Sequence, residues 1–287
     1  MKNTKNKILP YLLVSPYLLH FVLFIAFPVI FSIVLTFHKW NIISPMEFVG
    51  VNNYVRLFND KTFFISIINT LVFLVIHIPL QIIVALFLAE ILNQKLKFQG
   101  FFRAAFFLPV IVSGVVVTIL WQQMYGFDTG LLNRMLVSIG LGKIGWLTDP
   151  DVAMVSIAVM ATWKNVGLYV VLFLVGLQTV PVHYYEAADI EGATRSQKFF
   201  KITLPMINPT IFMVVILSTI GGFSLFIEPY IMTGGGPLNS TISAVLYIYK
   251  QGFFYYHMGY AATLGIFFAL IIFAVVIIQK KFVEVKN

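Results

Sequence analysis

Six long apolar stretches divide the chain, over residues 11–37, 62–89, 104–125, 152–179, 206–227 and 260–279, and polar connections separate them. Each reaches the roughly 20 residues that a helix needs to cross a hydrocarbon core about 30 Å thick, so the pattern predicts six transmembrane helices. The first stretch follows Lys2, Lys5 and Lys7, as a secretory leader would. A leader core, however, has about 7–15 apolar residues and a small-residue cleavage site. This run has 27 residues and ends in Leu35-Thr36-Phe37-His38, which predicts an uncleaved first span. Pro16 predicts a helical start near it and Pro28 a kink, because proline removes a backbone donor.

The connections orient the spans. Basic residues number three in each of four segments: Lys2, Lys5 and Lys7; Lys95, Lys97 and Arg103 in a loop that Glu90 opens; Arg195, Lys198 and Lys201; and Lys280, Lys281 and Lys286. These 12 face 6 in the alternate connections, Lys39, Arg56, Lys61, Arg134, Lys143 and Lys250. The excess predicts that both termini and the 181–205 connection are cytoplasmic. Residues 39–61 then lie outside, with Trp40, Tyr54 and Phe58 as interfacial anchors. The organisation read from this pattern is a segment 1–61 with the tail, first span and external connection, a transmembrane domain 62–281, and a tail 282–287.

The 181–205 connection is a polar island. Glu186, Asp189 and Glu191 precede Arg195, Lys198 and Lys201, an order that suits a helix dipole. Gly192 sits where a first short helix would stop, since glycine takes a left-handed cap without strain. Pro205 is placed to open the next apolar run. Two short helices with a bend between them are expected.

Glu186, Ala187, Ala188, Gly192, Ile202, Leu204 and Pro205 occupy seven positions at fixed spacing, and the segment, with Asp189 and Ala193 inside it, resembles the EAA loop of the permease subunits of binding-protein-dependent ABC importers. Phe48-Val49-Gly50-Val51-Asn52-Asn53-Tyr54, Phe106-Phe107-Leu108-Pro109 and Thr233-Gly234-Gly235-Gly236-Pro237 resemble segments of the carbohydrate-uptake group, which includes maltose, oligosaccharide and glycerol-phosphate permeases. The resemblance implies an all-α membrane protein of the type I importer architecture in a bacterial cytoplasmic membrane. It also implies partners: a second homologous permease subunit, two cytoplasmic ABC ATPase subunits that use ATP and Mg, and an extracellular solute-binding protein that delivers the carbohydrate. This chain itself would bind no cofactor and no nucleic acid. On this reading the loop is a coupling helix that docks on an ATPase. Small Ala187 and Ala188 permit close approach, and Glu186 offers a carboxylate to a basic group. The alternative is an ordinary surface helix between two spans.

Composition agrees with a polytopic membrane protein, at 60% hydrophobic and 10% charged residues against about 25% charged in soluble domains. There is no cysteine, which excludes disulfides and thiolate metal sites. The chain lacks a Walker lysine motif, histidine pairs at metal spacing and a serine elbow, so it is expected not to be an enzyme.

Candidate transport chemistry rests on polar groups within spans. Trp163, Lys164 and Asn165 fall in the fourth; Ser218, Thr219, Gly221, Gly222 and Ser224 in the fifth, with Glu228 near its external end. A charge in a span costs at least about 2.5–3.5 kcal/mol on insertion scales unless it faces protein or water, so Lys164 is expected to avoid lipid. Two readings stand: Lys164 and Asn165 line a cavity and bond sugar hydroxyls while Trp163 offers an apolar face, or Lys164 snorkels or pairs structurally with Glu228. Ser218 and Thr219 also suit helix-to-helix hydrogen bonds, and Gly222 close packing. His77, beside Pro79, reads better as a packing residue than as a proton relay. An ion-coupled secondary transporter is the main alternative in another class; it would need an ionisable coupling site near the midplane, usually with internal repeats, and would leave the EAA spacing unexplained.

Overall fold

A computed structural model describes the backbone over residues 5–94 and 97–283, with side chains over 11–94 and 97–281. Lys2, Lys95 and Lys286 of the basic count lie outside the described residues, as do the side chains of Lys5 and Lys7.

Helix α1 (Lys5–Phe21) runs straight through Pro16, so the expected start near that residue is not found. Helix α2 (Phe27–Leu35) continues it after one wide turn, Val22–Ala26, where the Phe27 N–H donates to the Val22 carbonyl five residues back. Pro28 has no N–H for the carbonyl four residues before it, and the disturbance appears as this π-type bulge. Strands β1 (His38–Lys39) and β2 (Glu47–Phe48) form a short antiparallel ribbon with Lys39 opposite Glu47. It leads to α3 (Asn52–Phe58) and then to α4 (Lys61–Asn93), which continues through Pro79 and takes in Glu90, expected in the following loop.

The third apolar run differs most from expectation. It is not one straight helix but α5 (Gln99–Ile111) and α6 (Gly114–Met124), bent by 97° at the break. Val112 and Ser113 are extended, Pro109 removes a donor from the last turn of α5, and Gly114 is a weak helix former at the new start. The next connection contains α7 (Leu131–Ser138), tied down by buried Asn133. The Asn133 amide donates to the Phe127 and Ile144 carbonyls at 3.0 and 2.9 Å, and its oxygen accepts from Ile144 N and Trp146 Nε1, both at 3.0 Å.

Helix α8 (Pro150–Gln178) opens with proline at its first position and the Asp149 side chain accepting from the Asp151 N–H. The polar island follows as α9 (Val182–Ile190) and α10 (Arg195–Lys198), a wide turn over Phe199–Thr203, and α11 (Leu204–Met206). Pro205 thus opens only this short turn. The fifth long helix begins at α12 (Asn208–Phe223), with Pro209 in its own first turn, and is prolonged by α13 (Ile227–Met232). Helices α14 (Ala244–Tyr249) and α15 (Met258–Val283) complete the described chain. Among the described residues, five helical stretches, 11–35, 61–93, 150–178, 208–232 and 258–281, are long and apolar enough to cross a membrane, and the bent α5–α6 pair makes six if counted as one broken span.

The chain forms two compact units, Met1–Phe63 with Ile248–Leu270, and Phe64–Tyr247 with Ile271–Asn287. The second unit carries a core in which Ala85, Ala89 and Leu92 of α4 meet Val170, Phe173, Leu174 and Leu177 of α8 and Ile207 and Val214 at α12. Small residues set the spacing. A methyl group at Gly176 would lie 2.5 Å from the Thr210 hydroxyl oxygen, and one at Gly167 would strike the backbone of Phe106, so α12 and α5 approach α8 closely.

Candidate functional site

Two features of the second unit bear on function: the α9–α10 segment and a polar cavity beside α8. Gly192 lies between α9 and α10 with φ of +73°, the left-handed turn its position predicts. Thr194 and Gln197 form a reciprocal capping box that starts α10, and the Lys198 ammonium lies 2.6 Å from an Asp189 carboxylate oxygen, tying the two short helices together.

The outer face of this segment exposes Glu186, Ala187, Asp189 and Gly192 together with the apolar side chains of Val182, Tyr184, Ile190 and Phe200. Its inner face is different. Tyr185, Phe199, Ile202 and Leu204 pack against the α4–α8–α12 core, and the Tyr185 and Thr203 hydroxyls are hydrogen-bonded at 2.7 Å. Ala188 and Ala193 are half-buried, and Pro205 is exposed.

The cavity, about 260 Å³, is lined by Phe73 and His77 of α4, Lys164, Asn165 and Tyr169 of α8, Ser218 and Gly222 of α12, and Ser224 and Glu228 beyond it. Lys164 Nζ lies 3.5 Å from Glu228 Oε1, with the two side chains 16% and 12% exposed. The bend between α5 and α6 reaches this point. A methyl group at Gly114, the first residue of α6, would lie 2.8 Å from Lys164 Nζ, so glycine leaves room for the ammonium. Asn165 Nδ2 donates to the Ala161 carbonyl at 2.9 Å. His77 Nδ1 is 2.9 Å from the Thr162 hydroxyl oxygen, and its ring stacks on Phe73. The wall therefore offers hydroxyls, an amide, an ion pair and aromatic faces, a set suited to exchangeable hydrogen bonds with a polyhydroxylated solute.

Residues 62–284 match the family described as the binding-protein-dependent transport system inner membrane component. The chain belongs to that family. It is 37% identical over 285 residues to the arabinooligosaccharides transport system permease AraP of Bacillus subtilis, covering 96% of this chain and 88% of that one. It is 38% identical over 268 residues to the lactose transport system permease LacF of Rhizobium radiobacter, covering 91% and 89%. Among solved structures it is similar to a bacterial ABC transporter involved in the import of the acidic polysaccharide alginate, with a TM-score of 0.82, 26% identity, and coverage of 98% of this chain and 97% of that one. The alginate transporter in complex with an alginate pentasaccharide-bound periplasmic protein matches with a TM-score of 0.81, 25% identity, and coverage of 98% and 95%. This inner membrane component is thus a transport subunit of the permease fold and not an enzyme.

Not every candidate residue meets the cavity. Lys164, Asn165, Ser218, Gly222 and Glu228 line it, whereas Trp163 stacks near Trp121, with ring centroids 5.4 Å apart, and lines a separate apolar depression. Thr219 is buried, donates to the Val215 carbonyl and accepts from Gln279 Nε2. Lys164 both pairs with Glu228 and faces the cavity. His77 joins the wall through the same side chain that bonds Thr162. Phe73, Tyr169 and Gly114 were not among the sequence candidates. Only the placement of Gly114 beside a proline-weakened turn carried a signal.

Proposed function

We propose that this chain is the membrane-spanning subunit of an ATP-driven importer that passes a saccharide, delivered by an extracellular solute-binding protein, through a path including the Lys164–Glu228 cavity. The observation that carries the reading is a continuous connection in the second unit. Helix α8 bears Lys164 and Asn165 and leads into α9, while α12, which follows α11, bears Ser218 and Gly222. The inner face of the α9–α10 segment packs on the same two helices, so a displacement of the segment moves both cavity walls.

The saccharide class is supported by the hydroxyl-bonding lining and by the arabinooligosaccharide, lactose and alginate systems in which the similar proteins work. An external binding protein is supported by the neighbour solved with one. Exposed Val182, Ile190 and Phe200 beside Glu186 and Asp189 suit docking of an ATPase subunit better than contact with water. ATP and Mg would be used there and not by this chain. A cavity of 260 Å³ is smaller than the roughly 300–1,000 Å³ typical of small-ligand sites, so a saccharide path needs a second wall, which a homologous permease subunit would supply. Two ATPase subunits would then draw on two coupling segments. The basic-residue distribution supports placing both termini and the α9–α10 segment in the cytoplasm.

The test is uptake of labelled arabinooligosaccharide, lactose and maltose by vesicles holding this chain with its ATPase and second permease subunits. Uptake that requires both ATP inside the vesicle and a loaded binding protein outside is expected. Uptake that ignores ATP and collapses with an ion uncoupler would replace this reading with ion-coupled transport.

A further inference from the structure

We propose that the first unit carries a second saccharide-binding site, a pocket of about 670 Å³ formed by the β1–β2 ribbon, α3 and the residues that enter α15. Its outward placement rests on the topology proposed above. The volume falls within the roughly 300–1,000 Å³ of small-ligand sites, room for one or two sugar rings.

The walls are fixed before any ligand arrives. Buried Asn53 donates to the Thr36 and His38 carbonyls at 2.9 and 3.0 Å, holding α3 to the ribbon. Gly259 lets the start of α15 abut the His38 backbone, where a methyl group would collide. The Arg56 guanidinium lies 3.8 Å from the centre of the Tyr260 ring, and the Tyr260 hydroxyl donates to Asp60 Oδ2 at 2.6 Å. Partial burial first, then Arg56 and Lys39, lower the His257 pKa, and its Nδ1 lies 3.0 Å from Gln251 Oε1, which fixes the ring in the wall.

Other groups in the lining are uncommitted. Among the described residues the Glu47 carboxylate has no ion-pair partner, and the side-chain polar atoms of Asn52, Trp40 and Tyr256 make no hydrogen bond. Together they present an acceptor, an amide with both functions, an indole donor and a phenol beside aromatic faces. That combination matches a sugar ring, whose hydroxyls need paired donors and acceptors and whose C–H face packs on aromatic rings. Tyr256 adds an independent mark. Its backbone φ of +57° is a left-handed conformation that a bulky residue adopts at a cost, and its side chain stays half-exposed at the pocket instead of joining a core.

The experiment uses the assembled transporter in nanodiscs without its binding protein, photolabelled with diazirine-bearing lactose or arabinotriose and mapped by mass spectrometry. Label is expected on peptides holding Trp40–Asn52 or Tyr255–Tyr260, competed by the unmodified sugar. Tyr256→Ala should raise the competing concentration about tenfold, and Tyr256→Phe, which keeps the ring, should leave it near the native value. Absence of label there, label that neither sugar competes, or label insensitive to Tyr256→Ala would overturn the site. Capture of a diazirine-bearing phosphatidylglycerol in place of sugar would do the same and assign the pocket to a lipid headgroup. Vesicle uptake measured in parallel separates the two readings. Competed label without uptake keeps the pocket and removes the importer reading, while binding-protein-dependent uptake without label does the reverse.

Discussion

The ammonium of Lys164 and the carboxylate of Glu228 face each other at 3.5 Å from different helices, α8 and α13, with the backbone of Gly114 against the ammonium. Neither side chain is more than 16% exposed, so removing one partner leaves a charge with little water to solvate it. Glu228→Gln or Lys164→Gln alone should lower the stability of the purified complex by about 1–3 kcal/mol. The double substitution should cost less than the two single effects added together. Thermal midpoints of the assembled transporter give the cycle, and strict additivity would show that the pair does not couple.

A second prediction concerns transport kinetics. Asn165 and Ser218 bring an amide and a hydroxyl to the same cavity from α8 and α12, and each hydrogen bond to a sugar is worth roughly 0.5–1.5 kcal/mol net. Asn165→Ala and Ser218→Ala should therefore raise the half-saturating sugar concentration by about 2- to 10-fold while assembly stays intact. Thr219→Ala is the contrast: its hydroxyl is occupied by Val215 and Gln279 away from the cavity lining, so a loss of stability should exceed any change in affinity. If Asn165→Ala and Ser218→Ala both transport with native kinetics, the solute runs along other faces.

The contrast between Ser218 and Thr219 marks what the sequence could and could not reveal. Long apolar runs make the membrane-crossing helices legible, because the need to satisfy the backbone in lipid overrides local detail. Gly192 was equally legible, since a charge-ordered helix ending at glycine leaves few conformations for the turn. Side-chain direction was not. Consecutive residues on a helix point about 100° apart, and the expected apolar face of Trp163 beside Lys164 and Asn165 is not found: Trp163 lines a separate depression while the other two share the cavity. The bend at Val112–Ser113 was hidden for another reason. Residues 104–125 carry no charged side chain, and hydropathy reports the medium around a segment but not its direction. Pro109 and Gly114, one on each side of the bend, are the local signals that could have placed it.

The α9–α10 segment yields a third prediction. Glu186 is exposed beside apolar side chains, and Gly192 holds a left-handed turn that a β-branched residue adopts at a cost of roughly 1–2 kcal/mol. Glu186→Lys should weaken ATPase association without altering membrane insertion, and Gly192→Val should do so by distorting the angle between the two short helices. Copurification of the ATPase subunit, compared with the amount of inserted chain, reads both effects. Native association in both variants would leave the segment as a simple connection. Asp189→Asn makes a milder probe, because the exposed Asp189–Lys198 bridge contributes at most about 1 kcal/mol.

Orientation is the last prediction, and it links the cavity, the coupling segment and the outer pocket. The 12-to-6 distribution of basic residues predicts the α9–α10 segment on the cytoplasmic side and the connection after α13 on the other. The chain has no cysteine, so single cysteines can be introduced without a background. Ile190 and Leu238 suit the purpose at 89% and 90% exposed, and substitution there empties no core. An impermeant maleimide added to intact cells should label Leu238→Cys and not Ile190→Cys, and opening the cells should make Ile190→Cys reactive. A third variant, Tyr256→Cys, should follow Leu238→Cys, because its connection precedes the last long helix and belongs on the same side. The reverse pattern at Ile190 and Leu238 would move the exposed apolar face of α9 away from the compartment that holds ATP. The proposed drive would fail with it, whatever the cavity binds.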